Sequence, residues 1–257
     1  MRRPPPAGVP AVTFSGFPPS ALRLYADLAA GNDKKTWRLR LRERYERDVR
    51  APMDELAAEL TAHFAPAGSG GPGTTGAAGA AGLAGEPAGV RVLGPVRDTR
   101  MSHDKSPYKT YQGAYLDLLP CLGLWVHVDR DGLYASGRWY PYGGAEVARF
   151  RAAVQDEDGG TELAEIAGRL RDRGFTLGGD RLKSRPRGVP ADHPRLDLLR
   201  HRKIDAGRRY GPGDGLHTPR ALDLVRETWE LVRPLLDWMA ARDLTPPPRH
   251  RGADEAS

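Results

Sequence analysis

Cysteine is almost missing from this chain: of 257 residues only Cys121 carries a thiol, so no internal disulfide can form. Cys121 sits in the apolar run "LLPCLGLW", with no basic neighbour in sequence to stabilise a thiolate, which argues for a small buried hydrophobe rather than a nucleophile. No stretch approaches the roughly 18 apolar residues that a membrane helix needs. The opening "MRRPPPAGVPAV" has basic residues but no apolar run behind them, so no signal peptide is expected. The chain is therefore expected to be cytoplasmic and to have no membrane partner. Also missing are the P-loop glycine–lysine pattern, a GxGxxG after a strand, CxxC pairs, HExxH and GxSxG. His103, His127, His193, His201 and His217 lack close-spaced partners, so neither a metal nor another cofactor is expected.

What the chain does have is enough apolar residues for a core (39%) and unusually many Gly and Pro, 31 and 23. Many of them fall in residues 66–89, "PAGSGGPGTTGAAGAAGLAGEPAG", which offers almost nothing to bury and is expected to be a flexible insert. Residues 1–12 and 242–257 look like disordered tails. That leaves a single domain over 13–241.

Its elements follow from periodicity. "PPSALRLYADLAAGN" predicts a short helix over 19–30, ended by Gly31-Asn32 in a left-handed cap. Asp33 can cap a longer helix on which Trp37, Leu41, Tyr45 and Val49 recur every four residues, with a restart and bend at Pro52. Beyond the insert, "VRVLGPV" and "YLDLL" are β-rich, and "LGLWVHVDRDGLYASGRWY" alternates Leu124, Val126 and Val128 against Trp125 and His127 around an Asp-Gly turn. Residues 145–155 and 161–172 return to helical spacing, and Gly174 is a stop. "HTPRALDLVRETWELVRPLLDWM" predicts a last helix, capped by Thr218 and bent or interrupted at Pro234. The fold class is α+β: an antiparallel sheet packed by helices from both the N-terminal and C-terminal parts.

Charge is uneven. The formal total is +6, yet residues 181–209 hold ten Arg/Lys against three Asp, leaving the remainder near neutral. Such a tract suggests an anionic ligand or partner at one place, or simply a solvated face. Within it Arg181, Lys183 and Arg185 fall at every second position, stiffened by Pro186 and Pro190. Both a phosphate-cradling loop and a surface strand with snorkelling arginines fit that pattern. In "GRWYPYGG", Trp139, Tyr140 and Tyr142 could be core or could stack on a ring.

The densest chemistry lies in "RDTRMSHDKSPYKT", residues 97–110. Three readings are open. Arg100 and Asp98 can be partly buried partners that lock the loop to neighbouring helices. Alternatively Arg97, Arg100, Lys105 and Lys109, joined by Lys183 and Arg187, gather round an anion, with Asp98 and Asp104 orienting them and Ser106 and Tyr108 beside the ligand. Or Asp104 or His103 does acid–base work, possible phosphoryl hydrolysis or transfer with Asp104 as the catalytic candidate, although adjacent Ser102, His103 and Asp104 cannot form a triad among themselves.

Six blocks in order, "FSGFPPSALRLYADLAAGNDKKTW", "YERDVRAPM", "RDTRMSHDKSPYKT", "FRAAV", "GFTLGGDRLKSRPRGVPADHPRLDLLRHRK" and "LHTP", resemble the bacterial proteins grouped as domain of unknown function 2461 over about residues 13–241. The resemblance implies no activity, ligand or catalytic residue. The expectation taken forward is a phosphorylated or otherwise anionic small ligand held in one basic pocket. A nucleic acid on the 181–209 tract and a non-catalytic interaction module are the alternatives. Nothing in the sequence sets an oligomeric state.

Overall fold

The computed structural model describes residues 13–64, 89–100 and 103–244; the expected insert and both tails lie, for the most part, outside them. Helix α1 (Pro19–Ala30) begins on a proline and buries Leu24, Tyr25 and Leu28. Gly31 leaves it extended (φ −158°), not left-handed, because Asn32 is needed elsewhere. Asp33 then caps the next helix, its carboxylate accepting the backbone N–H groups of Lys35 and Thr36 at 2.8 and 2.9 Å.

That helix runs on without a break from Lys34 to Phe64, as α2 (Lys34–Thr36), a π turn (Trp37–Leu41), α3 (Arg42–Tyr45), a second π turn (Glu46–Arg50) and α4 (Ala51–Phe64). The π turns answer a problem set by the sequence. Trp37, Leu41, Tyr45, Val49 and Met53 are all buried, at a strict spacing of four. At 3.6 residues per turn that stripe would drift by about 160° over sixteen residues. Each π turn acts as a one-residue insertion and sets the phase back by about 100°. Two of them keep all five side chains on one face, and Pro52 starts no new helix.

The sheet order is β1-β2-β3-β4-β6-β5, antiparallel throughout: β1 (Arg91–Val92), β2 (Tyr111–Leu119), β3 (Leu122–Asp129), β4 (Gly132–Trp139), β5 (Thr176–Gly178) and β6 (Ile204–Tyr210). The Asp-Gly turn joins β3 to β4 as expected, with Gly132 at φ +121°. One sheet face is apolar and covered. Leu124, Val126, Ala135 and Ala206 are at most 1% exposed. Helix α8 (Arg220–Ala240) lies close enough over Gly137 that a Cβ there would meet Val232 at 2.8 Å. Pro234 sits inside α8 without interrupting it. On the N-terminal side Tyr45 donates its hydroxyl to Gln112 (2.6 Å), whose amide donates in turn to Leu93 O and Gly113 O. Helices from both ends of the chain thus pack the sheet.

Helices α5 (Gly144–Gln155) and α6 (Glu157–Asp172) follow β4, Gly174 (φ +79°) ends α6 where the sequence placed a stop, and a single turn, α7 (Leu196–Leu199), precedes β6. Leu244 is fully buried and its carbonyl accepts Trp139 Nε1–H at 2.9 Å, so the packed chain runs past residue 241. Half-buried Cys121 has its thiol pushed up to about 12, by burial first and then by Glu146. No helix among the described residues is long and apolar enough to cross a membrane.

Candidate functional site: a basic groove beside a braced hairpin

Residues 93–100 and 103–109 fold back on each other. Arg97 N–H donates to Pro107 O (2.9 Å) and Lys109 N–H to Pro95 O (2.8 Å), with Val96 opposite Tyr108. These two bonds flank the Val96–Tyr108 pair, so the backbone groups of Tyr108 point outward. Asn32 meets both: its Nδ2 donates to Tyr108 O at 2.9 Å and its Oδ1 accepts Tyr108 N–H at 3.2 Å. The Tyr108 ring stacks on Trp37 with centroids 4.1 Å apart and planes 13° off parallel. One asparagine and one aromatic stack therefore fix the hairpin to the start of the long helix.

The charged residues of the hairpin tip are engaged with each other or with backbone. Arg97 pairs with Asp104 at 3.0 Å. Arg100 forks onto Asp98 through Nε (3.0 Å) and Nη2 (2.7 Å), on the surface. Lys105 donates to Thr99 O and Lys109 to Gly94 O, at 2.8 and 2.7 Å. Burial, then the nearby Arg97, lower the Lys109 ammonium from its usual range. Asp104 accepts Ser106 N–H at 2.9 Å; that bond first, with Arg97 behind it, holds its carboxyl below the usual range. A carboxylate so stabilised is a poor proton acceptor. His103 is exposed, and Ser102 lies outside the described residues.

Lys183 and Arg187 are not brought to this hairpin. They follow β5, at the far edge of the sheet from β1 and β2. Three strand steps separate β2 from β6, roughly 14 Å, and neither Lys183 nor Arg187 lines the two cavities found beside the hairpin. The tract around them is largely tied up. Arg181, Arg195, Arg202 and Arg209 pair with Asp197, Glu157, Asp180 and Asp129. Arg185 donates to Val189 O, and Arg200 to Leu182 O and Lys183 O.

What does face the hairpin is the start of the long helix. Residues 34–42, "KKTWRLRLR", hold five cations and no acid. Lys34, Lys35, Arg38 and Arg42 line a cavity of about 560 Å³ whose other wall is Pro95, Val96 and Tyr108, with Trp37 between them. A second cavity of about 660 Å³ shares Arg38 and Arg42 and extends to Glu43, Glu46 and Arg47. Lys34, Lys35, Arg38 and Arg42 are exposed and make no side-chain hydrogen bond or ion pair among the described residues. The signal was present as five positive charges in nine residues.

The model of the family described as conserved hypothetical protein (DUF2461) matches residues 20–238, more than four fifths of the chain. The chain belongs to this family. No curated protein and no solved structure matches it. In this DUF2461 chain the match covers both the hairpin and the 34–42 groove, so both belong to the family's domain and neither lies in the tails.

Proposed function

We propose that the chain binds an anionic small ligand, a phosphate or phosphate-bearing molecule, in the groove between residues 34–42 and 95–108. One observation carries this reading: four exposed cations converge on a cavity and make no ion pair among the described residues, whereas the arginines of the hairpin beside them are paired. Lys34, Lys35, Arg38 and Arg42 hold the anion. The Trp37–Tyr108 stack and Val96 form the wall against which the rest of the ligand packs. Arg97, Asp98, Asp104 and Ser106 brace the hairpin, and Arg100, 87% exposed beside Asp98, reaches the ligand only by giving up that partner. No reaction is part of this reading, since Asp104 is held ionised and Ser106 gives its N–H to it.

Thermal unfolding and calorimetry with inorganic phosphate and pyrophosphate test it. Ligand at tenfold over its Kd adds about 1.4 kcal/mol of stability. The double change Arg38→Glu, Arg42→Glu removes that gain while leaving the fold intact. A gain that persists in the double variant overturns the reading. A nucleic acid as the anion would instead give affinity falling steeply with salt, in proportion to the phosphates contacted.

A further inference from the structure

The alternation that sends Leu124, Val126 and Val128 into the core sends Trp125, His127 and Asp129 to the other face of the sheet. Beside them β4 contributes Tyr134, Ser136 and Arg138, and β6 contributes Asp205, Gly207 and Arg209, paired in register as Tyr134–Arg209, Ser136–Gly207 and Arg138–Asp205. A merely solvated sheet face needs no tryptophan, histidine and tyrosines in a row.

These side chains lie flat on the sheet because glycines leave them room. A Cβ on Gly113 would meet the Trp125 ring at 2.6 Å, and one on Gly207 would collide with the Tyr134 hydroxyl. Lying down, Tyr134 donates to Asp205 Oδ1 at 2.7 Å. Trp125 Nε1–H donates to His127 Nδ1 at 2.8 Å, which places a neutral His127's proton on Nε2, 3.2 Å from Asp129.

Arg138 is held on two sides. Its Nε donates to Asp205 Oδ2 at 2.7 Å, and its guanidinium carbon sits 4.0 Å from the Trp125 ring centroid and 5.5 Å from that of Tyr140. Asp205 also accepts Tyr140 Oη–H at 3.2 Å, so three donors converge on it. What remains of Arg138 is its outer edge. Nη1 and Nη2 make no hydrogen bond among the described residues, although the side chain is only 21% exposed. Lys203 brings a second cation, its Nζ 5.3 Å from the same Tyr140 ring and without an ion pair. Beneath this layer the Ser136 hydroxyl is fully buried beside the Tyr134 hydroxyl. Asp205 balances one positive charge; the corner holds two.

We propose that Arg138, Lys203 and Tyr140 form a second binding site, for a small molecule that carries a carboxylate or phosphate on a flat ring. The immobilised fork of Arg138 takes two oxygens of the anion, Lys203 supplies the matching charge, and the ring lies against Tyr140, which is 38% exposed. None of its three side chains lines the groove. Arg138 lies at the end of β4 next to Trp139, whereas the hairpin leaves from the other end of β2, beside Tyr111.

The test is calorimetric titration of the full chain with phenyl phosphate and benzoate, set against inorganic phosphate and acetate. At least one aryl anion binds about tenfold more tightly than its ringless counterpart, and which one does so says whether the natural group is a phosphate or a carboxylate. Arg138→Lys keeps a cation against Asp205 but loses the fork, and weakens that binding by about tenfold. Lys203→Ala, an exposed change that spares the fold, weakens it by a similar factor, and Tyr140→Ala abolishes the preference for the ring. Arg38→Ala with Arg42→Ala weakens the phosphate binding of the groove, but the preference for the ring, and its dependence on Lys203 and Tyr140, persist in that background. The proposal is overturned if neither aryl anion binds with a Kd below about 10 mM, if Lys203→Ala binds the aryl anions like the parent, or if the preference for the ring is lost with the Arg38 and Arg42 changes instead.

Discussion

Residues 34–42 and 181–209 are both strongly basic in sequence, yet the fold treats them in opposite ways. In the second, four arginines find carboxylates at separations of 16 to 80 residues, and two more bond backbone carbonyls. In the first, none of the five cations has a side-chain hydrogen bond or ion pair among the described residues. Charge counted along a chain therefore says little about charge available to a ligand. Six of the eight 181–209 arginines close loops or join elements; those of 34–42 are left for something else.

Four measurements sharpen or break that contrast. Removing a tied arginine should cost most. Arg200→Ala deletes two charge-assisted bonds, to Leu182 O and Lys183 O, and should destabilise by about 3 kcal/mol. That corresponds to a fall in Tm of roughly 10 °C. An unchanged Tm would mean the tract is as unconstrained as the groove.

Next comes acid. Burial alone would raise the Asp129 carboxyl, but bonds from His127 and Arg209 outweigh it and lower it to about 2. Because the folded value lies below the unfolded one, this stabilisation is present above about pH 4 and is lost as pH falls toward 2, on the order of 2 kcal/mol. Urea midpoints across that window should fall with pH, and fall less in Arg209→Ala. An identical slope in the variant would dissociate Arg209 from the effect.

The joint between hairpin and helix should come third. Asn32→Ala leaves both backbone groups of Tyr108 without their partner and should cost about 1 to 2 kcal/mol, with faster hydrogen exchange at the Tyr108 amide. Protection that does not change would place the brace elsewhere. Smallest should be the free cations: Arg38→Ala or Arg42→Ala should shift stability by no more than about 0.5 kcal/mol while weakening phosphate binding. A large loss of stability in either variant would show a structural role.

Most of the framework was readable from residue spacing. Helices α1, α5, α6 and α8 and the β3–β4 hairpin follow from apolar periodicity, caps and an Asp-Gly turn, all signals a few residues long. The candidate sites were less legible, for a physical reason. Whether Arg97 is free depends on Asp104 folding back to meet it, and whether Arg209 is free depends on Asp129, 80 residues away. Local sequence reports the charge but not its partner. The open sheet face was half visible: Trp125 and His127 were placed opposite the core row, but Tyr134, Arg138 and Asp205 join them only through pairings of β4 with β3 and β6.

The four-residue beat of the long helix sets more than its packing. Lys34, Arg38 and Arg42 keep the same interval as Trp37 and Leu41, so the under-wound turns that straighten the buried stripe also straighten the row of cations. In an ordinary α-helix those charges would wind away around the axis; here they form a rail parallel to it. Core and ligand surface are thus two readouts of a single register. Any change that turns Leu41 about the axis relative to Trp37 therefore turns Arg42 with it relative to Arg38.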